Sequence, residues 1–227
     1  MFWHEETAAD QFQVPNDVID LVFDIECKEL PVDHVYALST AITTALPWIK
    51  NDSNIGIHAI HAAGSQNGWE RPPHSTDNRL ILSHRAKLTV RISQEQVSAL
   101  QAELTGKILD VDNCVMRIGQ SKIKPMSKNS TLFARYVTIS NREDETEFLN
   151  WAAAELQVLK ISIRKAICGK TIGLNTPTGP ILTRSLLLAD LPVEEAIRLQ
   201  QYGLGEHKLL GCGIFIPHKG ISAVKKI

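Results

Sequence analysis

Hydrophobic spacing changes period in a fixed order along this chain, and that order recurs. Ile19, Leu21, Phe23, Ile25 and Cys27 alternate with Val18, Asp20, Val22, Asp24 and Glu26, the period of two expected of a half-buried strand. From Asp33 to Leu46 the apolar positions Val35, Leu38, Ile42, Ala45 and Leu46 make a helical stripe, with Pro31 and Asp33 marking its start and Pro47 its end. Residues 55–61 read as a strand, and the polar stretch Ala63 to Asn78 as a loop. Leu80 to Leu82 are expected to extend a hairpin into a strand over 86–92, where Leu88, Val90 and Ile92 alternate with Lys87, Thr89 and Arg91. Ser93 caps a helix carrying Val97, Leu100 and Leu104 and closed by Gly106, and residues 108–118 return as strand with an interruption at Asp112-Asn113.

The rest of the chain repeats the order. Residues 131–139 are strand-like, and Ser140 with Glu143 forms a capping-box signature for a helix that buries Phe148, Trp151, Ala152, Leu156 and Leu159. Strands over 161–168 and 180–189 flank a turn from Gly173 to Gly179. Asp190 and Pro192 open a helix bearing Val193, Ala196, Ile197 and Leu199, Gly203 ends it, and residues 212–217 close the unit as a strand. Two β-α-β-β-α-β units in tandem predict an α+β chain of two ferredoxin-like (RRM-like) domains, residues 1–126 and 127–227. That fold fixes no function, because its sheets host enzymes, metal carriers and RNA-binding modules alike.

Composition narrows the classes. With 44% hydrophobic and 22% charged residues in 227, the chain can fill a core and is neither disordered nor low-complexity. The acidic start lacks the basic and apolar regions of a signal peptide, and no apolar run reaches the roughly 18–20 residues of a membrane span. Four cysteines without a C-x-x-C pair predict reduced thiols in a cytoplasmic protein and no structural zinc site. His58 and His61, three apart on a strand, face opposite ways and do not share a metal. No cofactor is expected.

The net charge of −1 argues against a nucleic-acid partner until it is resolved along the chain. Residues 1–60 hold ten acids and two bases, a balance of −8, whereas residues 61–227 hold 15 acids and 22 bases, a balance of +7. Two readings follow: a basic RNA face beside an acidic segment, or two oppositely charged halves that attract each other.

The segment from Gly203 to Gly213 reads G-h-G-x5-G-h-G, where h is apolar, with Lys208 inside; Gly203, Gly205, Gly211 and Gly213 permit close backbone approach and expose N–H groups to an anion. A nucleotide-cofactor loop would follow a strand and open a helix; here a helix precedes and a strand follows. Such a loop near the end of a tandem ferredoxin-like chain resembles the signature of the CRISPR-associated repeat-RNA endoribonucleases of the RAMP superfamily. Further stretches are similar to the Myxan subtype of that family: Leu30 to Leu38, Gly56-Ile-His58, Thr183 to Leu186, and Gly213 to Ile221.

The resemblance implies metal-independent cleavage of precursor CRISPR RNA within each repeat, with mature CRISPR RNA retained in a type I effector complex beside other subunits. A ribose 2′-hydroxyl would attack the adjacent phosphorus and leave a 2′,3′-cyclic phosphate, so the protein need only position the strand, move protons and stabilise charge. The family's proton-transfer histidine lies in or just after the first helix, which points to His34. No histidine follows that helix in Pro47 to Asp52, so His58 in the next strand is the other candidate, with Lys50 placed to steady a phosphate; Tyr36 reads either as orienting a ribose or phosphate or as helix packing. For the RNA grip the residues are Lys87, Arg184, Lys208 and Lys219 with the four loop glycines; Arg91 shares the Lys87 strand face, and Trp69 reads equally as a base stacker or as an anchor of its own loop. The competing readings are a non-cleaving RNA-binding scaffold of the same superfamily and a small-molecule enzyme on the same fold.

Overall fold

A computed structural model describes residues 12–61, 79–139 and 144–218. Eleven strands and four α-helices are described: β1 Val18–Glu26, β2 Glu29–Pro31, α1 Val35–Ala45, β3 Gly56–Ile57, β4 Arg79–Ile81, β5 Lys87–Ser93, α2 Val97–Leu104, β6 Ile108–Val111, β7 Cys114–Lys124, β8 Leu132–Thr138, α3 Glu145–Val158, β9 Lys165–Leu174, β10 Ile181–Ala189, α4 Val193–Tyr202 and β11 Ile216–Pro217. The first antiparallel sheet has the order β3-β5-β1-β7-β6 and the second β11-β8-β10-β9, both with the first strand of the unit central, as in a ferredoxin-like sandwich. Helices α1 and α2 cover the face of the first sheet that carries Ile19, Leu21 and Phe23. In the second unit Phe148, Ala152 and Leu156 of α3 and Ala196 and Leu199 of α4 pack on Leu132, Ala134, Leu186 and Leu188.

Local chemistry explains where elements begin and end. Asp144 caps α3 by accepting from the Thr146 and Glu147 amides at 2.8 and 3.1 Å; the Ser140–Glu143 box lies outside the described residues, as does Trp69. Asp112 and Asn113, at φ 54° and 64°, make the tight turn that splits the expected 108–118 strand into the β6–β7 hairpin.

Three expectations are corrected. Leu80 and Ile81 pair with β2 rather than extending a hairpin into β5. A turn in which the Ala86 amide donates to Ser83 O separates the two strands. The strand expected over 55–61 shrinks to Gly56–Ile57, because the Ile60 amide leaves the sheet to donate to His34. The strand expected over 212–217 likewise shrinks to Ile216–Pro217, since Gly211 and Gly213 turn the chain with φ of 76° and 67°.

The −8 and +7 halves meet on the face of the first sheet turned away from α1 and α2. Asp24 and Lys87 are register partners joined at 2.6 Å, Asp20 and Arg91 are register partners at 2.8 Å, and Glu26 lies 3.7 Å from its partner Arg117. Cross-strand pairing of this kind is a stabilising unit of sheets. Three of the ten acids in residues 1–60 are thus paired with bases from later strands, in the direction that the reading of two attracting halves expects.

Candidate functional site between the first helix and the glycine loop

The two units meet along the β3 edge. Arg91 is 3% exposed and forms a fork: Nε and Nη2 donate to Asp20 Oδ1 and Oδ2 at 2.8 and 3.2 Å, while Nη1 donates across the seam to Gln200 O at 2.6 Å and Phe215 O at 3.1 Å. The sequence placed Arg91 with the exposed RNA grip; the second unit instead buries it. Val35, Leu174 and Cys212 add a small apolar seam, in which burial pushes the Cys212 thiol up to about 12. Asn175 donates twice to Asp33 Oδ2, at 3.2 Å from its amide and 2.6 Å from its side chain.

The two expected catalytic histidines sit on this frame in different settings. His34 is 4% exposed; its Nε2 accepts the Ile60 amide at 3.0 Å, so Nδ1 carries the proton and donates to Pro31 O at 3.0 Å. Both ring nitrogens are therefore engaged by backbone, tying the start of α1 to the end of β3. Burial lowers the His34 pKa, against the raising effect of the Pro31 contact and Asp33, and holds the ring neutral. His58, just past β3, has its Nε2 sealed from solvent and 3.3 Å from Asp20 Oδ1. Burial lowers its pKa as well, opposed by the Asp20 charge. For Asp20 burial alone would raise the carboxyl, but Arg91 and His58 outweigh it and hold it well below the usual range.

On the other side of the β3 edge an open cleft of about 740 Å³ separates α1 from the glycine loop. Tyr36, Ser39, Thr40, Thr43 and Thr44 form its α1 wall, at the i, i+3, i+4, i+7, i+8 spacing of one helix face. Lys50, Asp52 and Ser53 close one end, and Gly205, Glu206, His207 and Lys208 form the opposite wall. Burial lowers the Lys208 pKa, with Asp52 opposing and Arg91 adding to the effect. Residues bearing an imidazole, a phenol, two ammonium groups and several hydroxyls thus line one open space, beside the carboxylates of Asp52 and Glu206, a set that offers phosphate and ribose both cations and hydroxyl partners.

All four loop glycines have positive φ, between 66° and 77°. Their conformation serves a self-crossing of the chain: Leu204 N–H donates to Gly213 O at 3.0 Å and Gly213 N–H to Tyr136 O at 2.6 Å. A Cβ on Gly203 would meet Gly213 O at 2.5 Å, and one on Gly211 would meet Ile57 O at 3.2 Å. The amides of Gly203, Gly211 and Gly213 already donate to backbone carbonyls, so these glycines shape the loop instead of presenting their N–H groups to an anion.

Of the residues expected to grip RNA, the fold brings Gly205 and Lys208 to the cleft. Lys87 is held by Asp24 on the first sheet, and Arg184 on β10 donates to Gly169 O at 3.1 Å. Lys219 lies outside the described residues. Sequence reasoning assigned no role to His207 or to the hydroxyl stripe; the stripe's helical period was the signal that could have found the α1 wall.

Comparison with known proteins agrees with this architecture. The Cas6 Crispr family profile matches residues 19–220. A CRISPR-associated endonuclease Cas6 of Myxococcus xanthus (strain DK1622) is 25% identical over 199 residues, covering 88% of this chain and 81% of that protein. Among solved structures, a CRISPR associated protein Cas6 superposes with a TM-score of 0.60 at 12% identity, covering 89% of this chain and all (100%) of its own. A structure described as an RAMP protein binding different RNA substrates gives 0.58 at 12% identity, covering 87% of this chain and 98% of its own. The tandem ferredoxin-like fold and a family match spanning nearly every described element make this chain a member of the Cas6 family of CRISPR-associated proteins.

Proposed function

We propose that this chain is an endoribonuclease that binds precursor CRISPR RNA and cleaves it within each repeat without a metal ion. The single observation that carries the reading is the cleft between α1 and the glycine loop, where Tyr36, Lys50, His207 and Lys208 share one open space. The 2′-hydroxyl of the nucleotide before the scissile phosphate attacks phosphorus in line, the 2′-O–P bond forms, the P–O5′ bond breaks, and a 2′,3′-cyclic phosphate remains. Lys50 and Lys208 offset charge on the phosphate, and the hydroxyl wall orients ribose. His34 and His58 serve this reaction as frame, because both ring nitrogens of His34 face Pro31 and Ile60 and the Nε2 of His58 faces Asp20. The product stays bound as mature CRISPR RNA within a type I effector complex. The relative from Myxococcus xanthus, named an endonuclease, supports the reading.

The internal engagement of His34 and His58 favours one alternative, a non-cleaving RNA-binding scaffold. Incubating the purified protein with repeat RNA in EDTA separates the two: cleavage is expected, and binding without product selects the scaffold. A repeat carrying one 2′-deoxy nucleotide before the mapped cleavage site is expected to resist. Its continued cleavage would overturn the 2′-hydroxyl mechanism.

A further inference from the structure

We infer that His207, carried on the glycine loop, is the catalytic residue that accepts the 2′-hydroxyl proton; the inference rests on the cleavage reading above. Among the six described histidines, His207 is the one that lines the cleft. His34 has both nitrogens bonded to backbone, and the Nε2 of His58 is sealed against Asp20. His84 lines a different cleft with Cys27 and Cys114, at the far end of the first sheet. His218 packs on Phe133 with ring centroids 5.7 Å apart. His61, past the end of β3, does not line the space between α1 and the loop.

The backbone holds His207 in place for this task. Its φ of 61° and ψ of 38° are left-handed, a conformation that glycine adopts without strain and a histidine enters less readily. The residue's carbonyl accepts the Leu210 and Cys212 amides at 2.8 and 3.2 Å, locking the turn. Gly205 and Gly211, both left-handed, bend the chain on either side so that the imidazole is exposed at the cleft wall opposite Tyr36. Lys208 follows directly, and Lys50 stands at the cleft's end.

The proton balance closes with these groups. The 2′-hydroxyl proton passes to a ring nitrogen of His207 as the 2′-O–P bond forms. As the P–O5′ bond breaks, the 5′-oxygen takes a proton from the Lys208 ammonium, which burial makes a readier donor. Solvent then deprotonates His207 and reprotonates Lys208.

The test compares wild type, His207→Asn, His207→Ala and Lys208→Ala in EDTA. Each is given a natural repeat and a repeat whose scissile 5′-oxygen, mapped with the wild type, is replaced by sulfur, a leaving group that needs no proton. Asparagine tolerates the left-handed conformation and so keeps the loop folded without supplying a base. Both His207 variants are expected to bind repeat RNA within about threefold of wild type and to cleave about 100-fold or more slowly, with no recovery on the sulfur substrate. Lys208→Ala is expected to recover on sulfur. Cleavage by His207→Asn within about tenfold of wild type, or its recovery on sulfur, overturns the assignment. If the wild type itself binds without cleaving, the proposed function falls and the inference with it; an active wild type beside an active His207→Asn overturns the inference alone.

Discussion

Replacing Arg91 with methionine removes four hydrogen bonds at once and leaves the Asp20 carboxylate, 6% exposed, without its main counter-charge. Breaking a buried pair by removing one partner costs about 3–5 kcal/mol, because the remaining charge has lost both its partner and its water. For a chain of this size about 1 kcal/mol moves the melting midpoint by roughly 2–4 °C, so Arg91→Met should melt about 6–20 °C below wild type. Asp20→Asn combined with Arg91→Met should recover at least about 1 kcal/mol relative to the sum of the single changes, since no orphaned charge remains. The pH dependence gives a second signature. In the wild type the depressed Asp20 pKa contributes stability that is fully present above the unfolded value of 3.8 and is lost as pH falls through the lower folded value. Without Arg91 the carboxyl keeps the burial that raises it and loses its largest lowering partner, with His58 alone opposing, so its folded value rises above that of wild type and the gap between the two proteins narrows as pH falls toward that value. Urea unfolding of the four proteins between pH 4 and pH 8 reads both effects. A single-variant loss below about 1 kcal/mol, or a gap that does not narrow on acidification, would refute the buried-clasp argument.

Two further outcomes follow from named contacts. His34→Ala orphans Pro31 O and the Ile60 amide, at about 1–3 kcal/mol per buried group, so thermal melting should shift down while the folded protein still cleaves repeat RNA; unchanged melting with abolished cleavage would make His34 a chemical group after all. Gly213→Ala should destabilise by well over 1 kcal/mol and weaken RNA binding, because its Cβ would run into the Leu204 carbonyl. Gly106→Ala, at φ 82° with open space around it, should cost only about 1 kcal/mol; equal losses in denaturant titrations would sink the crossing-loop account.

The candidate site was legible in part. The glycine loop and Lys208 stand out in the sequence because glycine at that density points to a special backbone conformation. The purpose of the glycines did not: that Gly203 and Gly213 are each other's neighbours across ten residues emerges only when the loop closes on itself. Charge behaved similarly. The division into −8 and +7 is visible by counting, yet whether the bases face RNA or acids depends on strand register, which puts Lys87 opposite Asp24 and Arg91 opposite Asp20.

By itself the sequence determined the order of the longer strands and helices and most of the core, since the periods of two and 3.6 are local properties that decide which side chains of a strand or helix can be buried together. Ile19, Leu21 and Phe23 on β1 and Phe148, Ala152 and Leu156 on α3 were readable in that way, and all are buried. Tertiary structure decided which polar groups are free. His34, His58 and His207 are indistinguishable as residue types, and their reach depends on partners 26, 38 and more positions away in the chain or on a left-handed turn. A hydrogen-bonding group's availability is set by what lies within 3 Å of it in space, and no linear pattern carries that information.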